Sequence, residues 1–442
     1  MHPLLAGIMR NNVTDAQSLL CDIQDYYTDG DNGLVSMSKL LRMKNINKPD
    51  NRIHVLLLGD SSSGKSSFVN FYCSDPDSAT PYEHILETGV RSTTQTLTFV
   101  EKAEKRGTLD ADSSMQHSQT ARDLVNAVGD PRLRRYVVTE LVPSNARCFD
   151  NIIFADTPGM LLSNAEQPFD VHRTLHWLAD EWSDLILCFL SFDANSHTLD
   201  LVGELCSTPA GQSKTHFLLN RVDQVHDDYD HISLVVQTTQ NLAKVLPHRF
   251  NILTTFVPQL ATKPRTHNSM PLVERIVSDT VSIHAQRCLR RFEKDIDKLN
   301  GAVDVALDWH SLSTIRRSKM RVLYLLFTST ILGVLIVSGL LLGSNRYPGL
   351  PTYLTKTLGV VIGFPPVRVW GSLASIATVA LAGLIGSYLL TPKVSKHRAS
   401  VLEEAGAQLD ELAAIAAEMR HQFVTDKKRR EAEALLDSSE GI

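Results

Sequence analysis

Two hydrophobic patterns alternate along the first 265 or so residues, and a third replaces them afterwards. The apolar runs at 53–58, 152–155, 185–189, 217–219 and 252–257 are short and lack a polar face. Such runs predict strands buried on both sides of a mostly parallel sheet, and the helical stretches between them predict an α/β layer fold. Residues 136–143 read as an added strand. The polar stretch 101–130 reads as an insertion with one short helix. Ahead of the first strand, Leu4, Leu5, Ile8, Met9, Val13, Ala16, Leu19, Leu20 and Ile23 follow helical spacing. That predicts an amphipathic helix over 1–26, followed by a linker over 27–51.

From about 281 the pattern is long helix. Leu289, Phe292, Ile296, Leu299, Val303 and Leu307 recur every three or four residues. Further on, Leu402, Ala405, Leu409, Leu412, Ala416, Met419 and Phe423 form a heptad stripe, which suits either packing within one chain or an intermolecular coiled coil. Between these helices lie two uncharged segments, 322–343 and 369–390. As helices each is about 33 Å long, enough for a hydrocarbon core of about 30 Å. They predict a transmembrane hairpin. Gly339 with Gly343, and Ala374, Thr378, Ala382 and Gly386, provide small-residue rows for close helix approach.

Charge orients the hairpin. Arg316, Arg317, Lys319 and Arg321 precede it, and Lys393, Lys396 and Arg398 follow it. The 344–368 connection carries only Arg346, Lys356 and Arg368. The excess outside the hairpin places both termini in the cytosol. Asp15 and Asp22 interrupt any apolar run near the start, which argues against a signal peptide. Six cysteines without a Cys-x-x-Cys pair argue against structural zinc and a disulfide framework. A net charge of −5 gives no basic balance that would point to nucleic acid, so none is expected as a partner.

The chemistry begins at the end of the first strand. Residues 59–66 read Gly-Asp-Ser-Ser-Ser-Gly-Lys-Ser, matching G-x-x-x-x-G-K-[ST] between a strand and a helix expected over 66–73. Glycines let the backbone curl, so that N–H groups of Gly59, Ser62, Ser63, Gly64, Lys65, Ser66 and Ser67 can cradle phosphates. Lys65 supplies charge to the β- and γ-phosphates, and Ser66 a hydroxyl to Mg²⁺. Asp156-Thr-Pro-Gly159 follows the strand at 152–155. Asp156 can hold magnesium through water, and the Gly159 N–H can sense a γ-phosphate. Asn220-Arg-Val-Asp223 ends another strand. There Asp223 can accept hydrogen bonds from guanine, Asn220 can brace the loop, and the Arg221 side chain can lie over the base. Thr93 and Thr94 lie between these motifs, and Thr94 is the candidate to complete the Mg²⁺ shell when a triphosphate is bound.

With these motifs the chain resembles the dynamin superfamily of nucleotidases, and most closely the EHD family. The resemblance rests on the segments beginning Val55, Thr93, Thr139, Asp156, Phe192 and Asn220, and covers residues 48–265. The order of nucleotide domain, helix, two spans and helix resembles mitofusins and their bacterial relatives. The resemblance implies a P-loop NTPase with a dynamin-type G domain over 48–275 and a helical stalk over 276–320. Spans at 321–343 and 369–390 and a C-terminal helix and tail over 391–442 complete the plan, after an N-terminal segment over 1–47. It further implies a GTPase needing Mg²⁺ that self-associates through its nucleotide domain and helices and remodels a lipid bilayer. EHD proteins prefer ATP, which leaves the base open. Ser61 stands where dynamins carry a water-orienting glutamine, so the hydrolysis rate is open too. A slow membrane switch or tether is the alternative reading. The mitochondrial outer membrane, or the endoplasmic reticulum and endomembranes, are the expected locations.

Overall fold

The computed structural model describes residues 16–30, 33–43, 46–74, 84–88, 96–144, 146–159, 168–191, 196–225, 227–246, 249–261, 268–344, 385 and 396–440. The chain divides into two compact units, one built around Asn47–Phe292 and the other around Glu293–Ala416 with Asp29–Ile46.

The first unit is organised by an eight-stranded sheet. Its strands are β1 (Ile53–Gly59), β2 (Leu97–Lys102), β3 (Gly107–Leu109), β4 (Val137–Val142), β5 (Ile152–Asp156), β6 (Leu185–Leu190), β7 (Thr215–Asn220) and β8 (Ile252–Thr255). They lie in the order β3-β4-β2-β5-β1-β6-β7-β8. From β5 to β8 every pairing is parallel. β2 runs antiparallel to β5 and parallel to β4, and β3 is antiparallel to β4. The expectation of a mostly parallel sheet therefore holds for the centre, with a mixed edge built from the added strands.

The central strands β1, β5 and β6 are buried on both faces as expected, whereas β8, at the border of the sheet, is only half-buried from Ile252 to Thr254. On one side Leu56, Leu58, Phe99, Leu175, Ile186 and Leu205 share a core. On the other, the Phe68 ring meets Phe154 and Phe189 at centroid distances of 6.0 and 5.5 Å. Burying a side chain of this size is worth about 1.5–3 kcal/mol, so the sheet centre carries much of the hydrophobic stabilisation.

Eleven helices of α type are assigned among the described residues, two of them where no helix was expected. They are α1 (Ala16–Thr28), α2 (Leu34–Leu40), α3 (Lys65–Cys73), α4 (Ala111–His117), α5 (Gln119–Val128), α6 (Val171–Trp177), α7 (Ser196–Leu205), α8 (Pro209–Lys214), α9 (Asp228–Val245), α10 (Met270–Ser344) and α11 (Lys396–Glu440). The expected linker over 27–51 contains α2, which follows Gly33 and buries Leu34 and Met37 on one apolar face. The 101–130 insertion holds β3 and two helices, not one. Asp110 and Ser118 each accept a bond from a backbone N–H and start a new helix there. Of the helix expected over 1–26, residues 1–15 lie outside the described residues and α1 occupies the rest; its Tyr26 stacks on Phe292 at 5.8 Å, and Tyr27 meets the same ring tilted at 5.7 Å.

In the second unit, Ile296, Leu299 and Val303 of α10 and Ala405, Leu409 and Ala416 of α11 are buried. A Cβ on Gly406 would sit 3.4 Å from Val303, so the heptad stripe packs within the chain. Among the described residues no helix is long and apolar enough to cross a membrane. The first expected span falls within α10, with side chains described only to Gly333, and the second lies outside the described residues except for Ile385.

Candidate functional site

The C-terminal ends of β1, β5 and β7 put three of the four motifs on one edge of the sheet. In the β1–β5 register Leu57 pairs with Asp156, so the end of β5 lies beside the loop leaving β1. That loop, 59–64, curls tightly. Gly59, Ser62 and Gly64 have φ values of 143°, 59° and 99°. Gly64 ends the loop in left-handed backbone and directly precedes α3, whose first turn exposes unpaired N–H groups to an anion. A Cβ on Gly64 would lie 2.0 Å from Asn220 Nδ2, so only glycine fits there.

Lys65 is buried and donates to the carbonyls of Gly59 and Asp60 at 3.0 and 2.9 Å. An ammonium has three donors, so this arrangement suits a group that also grips phosphate oxygens. Burial pushes its pKa below the lysine range, opposed by the carboxylates of Asp156 and Asp60. A bound polyphosphate would reinforce the charged form.

Asp156 is the second anchor. Its Oδ2 accepts a 2.5 Å hydrogen bond from Ser66 Oγ. Its Oδ1 is buried without a hydrogen-bond partner among the described residues. Burial raises its pKa, countered by Lys65 and the Ser66 bond. A buried carboxylate oxygen lacking a donor next to a serine hydroxyl is a donor set that fits a hard cation such as Mg²⁺, which binds through oxygen and retains waters. Ser66 and Asp156 would hold it, and it would neutralise charge on the phosphates. Thr157 Oγ1 donates to Leu57 O at 2.7 Å, fixing the start of the following loop on β1. Gly159 is set against the phosphate loop, since a Cβ there would lie 2.5 Å from Ser61 Cα.

Asn220 is the brace expected of it. Its Nδ2 donates to Ser63 O at 2.9 Å, and its Oδ1 accepts from Thr255 Oγ1 at 3.4 Å. Arg221 follows in left-handed backbone with φ 63°, which turns the chain so that Asp223 enters a short 3₁₀ turn and is buried. Ser61, Ser62, Ser63 and Ser67 lie in or next to the loop as expected. Thr93 and Thr94 lie outside the described residues.

Sequence reasoning missed how the loop is held from the far side. Asp60 accepts hydrogen bonds from Thr198 of α7 and, at 3.2 Å, from Ser191 Oγ. No spacing rule links residue 60 to residues 191 and 198. The only hint was that an acidic residue stood at a variable position of the motif.

No family model matches the chain. In sequence it is 25% identical over 183 residues to EH domain-containing protein 3 of Rattus norvegicus, covering 40% of this chain and 32% of that one. The chain thus spans about a third of the length of such relatives. Among solved structures, an oligomerised bacterial dynamin pair gives a TM-score of 0.39 at 12% identity, over 77% of this chain and 54% of that one. Toc33 from Arabidopsis thaliana, solved with Mg²⁺ and GMPPNP, gives 0.29 at 13% identity, over 62% and 97%. A P-loop α/β unit, similar in sequence to EH domain-containing proteins over part of its length, is therefore what geometry and comparison together establish.

Proposed function

We propose that the chain is a membrane-anchored, dynamin-like GTPase that couples nucleotide-dependent self-association to membrane remodelling. The observation that carries this reading is the pairing of a phosphate loop, its lysine buried at the base, with a cation-ready Ser66–Asp156 pair on the neighbouring strand end. Phosphoryl transfer to water needs little beyond positioning and charge stabilisation, and these residues supply both. Guanine is favoured because buried Asp223 sits on a turn that Asn220 fixes to the phosphate loop. Affinities for GTP and ATP, measured with and without Mg²⁺, test the reading. Asp223→Asn is expected to cut the GTP-to-ATP preference by about tenfold or more, as loss of a charge-assisted pair would. An unchanged ratio would indicate an adenine site like that of EHD proteins.

Two further features support the membrane part. Val322, Leu323, Tyr324, Leu325, Leu326 and Leu332 of α10 are 40–65% exposed, although this stretch is uncharged. Water makes such exposure unfavourable by about 25 cal/mol per Å², whereas lipid does not. Earlier in the same helix, Val305, Trp309 and Leu312 form an exposed stripe at helical spacing, an apolar surface suited to self-association. The full chain in liposomes should stay with the lipid after a carbonate wash. Recovery in the aqueous fraction would remove the anchor from the proposal. In this reading both termini face the cytosol, and a mitochondrial outer or endoplasmic reticulum membrane is the site.

Ser61 favours a second reading, a slow switch or tether, since a serine hydroxyl is a shorter and weaker water-positioning group than glutamine. Light scattering of proteoliposomes with nucleotide separates the two. Remodelling changes vesicle size, and a switch leaves it constant.

A further inference from the structure

Away from the phosphate loop, two histidines and a glutamate meet on the surface of the first unit. His172 and His176 are spaced i, i+4 on α6, which brings their rings onto one face with centroids 4.5 Å apart. Both Nε2 atoms reach the same oxygen, Glu204 Oε2 on α7, at 2.8 and 3.3 Å. All three donor atoms lie within 4.8 Å of one another. Tetrahedral Zn²⁺, with bonds of about 2.1 Å, needs its donors about 3.4 Å apart, so side-chain adjustments with no backbone change suffice. The backbones are already fixed. Leu175, between the two histidines, and Leu201 and Leu205, around Glu204, are buried in one shared core. The side chains themselves remain accessible, with His172 62% and Glu204 55% exposed.

We infer that His172, His176 and Glu204 form a binding site for a divalent transition metal of the Zn²⁺ class, leaving a fourth position to water. Two imidazoles and one carboxylate are a donor set for Zn²⁺ and unlike the all-oxygen sets of Mg²⁺ or Ca²⁺. A bound ion would tie α6 to α7. α6 is the first described helix after the Asp156–Gly159 loop, and α7 carries the Thr198 that holds Asp60. The site would therefore damp motion of both flanks of the phosphate loop. That coupling rests on the nucleotide reading above, while the site does not.

Zn²⁺ titrated calorimetrically into the untagged full chain, with Co²⁺ absorption as a coordination probe, tests it. One ion per chain is expected, together with the intense visible bands of tetrahedral Co²⁺. His176→Ala and Glu204→Gln should each weaken binding about tenfold or more, and Lys65→Ala should leave it unchanged. Equal Zn²⁺ uptake by wild type and the His172→Ala/His176→Ala double variant would overturn the site. Release of a fluorescent GTP analogue should slow severalfold with Zn²⁺ in wild type and not in Glu204→Gln. Equal release with and without Zn²⁺ would overturn the coupling. Failure of the analogue to bind at all would count against the proposed function, with the titration still deciding the site.

Discussion

Replacing Lys65 by alanine is expected to abolish nucleotide binding at micromolar concentrations while leaving the fold in place. The two halves of this expectation have separate causes. A triphosphate carries its charge into a loop where Lys65 is the buried cation that approaches it, held on Gly59 O and Asp60 O. Truncating one partner of a desolvated charge pair costs roughly 2–5 kcal/mol, or about 30-fold to several thousand-fold in Kd. Stability responds differently. The buried ammonium is already pushed towards neutrality, so its removal relieves a desolvation penalty. Against that stands the loss of two hydrogen bonds from a charged donor to backbone carbonyls, each worth about 1.5–3 kcal/mol. The two effects oppose each other, so the fold should be retained while the melting temperature without nucleotide moves by several degrees. Equilibrium titration with a fluorescent GTP analogue and a thermal melt on the same preparation check both. Wild-type affinity in the variant would mean that the loop does not grip phosphate.

The second large effect is expected at Gly64, where substitution damages fold and site together. Alanine there would have to adopt φ near 99° and place its Cβ 2.0 Å from Asn220 Nδ2. The backbone penalty is roughly 1–2 kcal/mol, and displacing Asn220 forfeits its bond to Ser63 O for about another 1 kcal/mol. The total of about 2–3 kcal/mol corresponds to a fall in melting temperature of roughly 5–10 °C. Nucleotide affinity should fall as well, because Asn220 spans the phosphate loop and β8. Gly301→Ala is the informative contrast. Gly301 lies inside α10, and an added methyl group there would meet nothing within 4 Å, so the same change should raise stability by about 0.5–1 kcal/mol. Equal effects at the two positions would refute the contact argument.

Much of this site was legible in the residues because its motifs are local. A phosphate loop has to follow a strand and open a helix, and 53–73 spells out strand, loop and helix in order. The other strand ends could be placed because buried parallel strands are wholly apolar, which marks 152–155, 185–189 and 217–219 unmistakably. β8 stops at Thr255 rather than 257, because apolar character persists past the last ladder bond into Phe256 and Val257, both buried outside the strand. The 101–130 stretch misled for the opposite reason. Its two helices are short and begin on side-chain caps, so periodicity had too few turns to register. The Asp60 contacts with Ser191 and Thr198, and the meeting of His172 and His176 with Glu204, depend on which helices the sheet brings together. Only topology reveals them.

The two borders of the sheet carry a consequence for any assembly. β3 spans only Gly107–Leu109 and β8 only Ile252–Thr255. Each offers too few free backbone groups to template another chain, and short edges of this kind guard against runaway strand-to-strand joining. Copies crowded at high local density would therefore be steered away from extending one another's sheets and towards contacts through helices and loops.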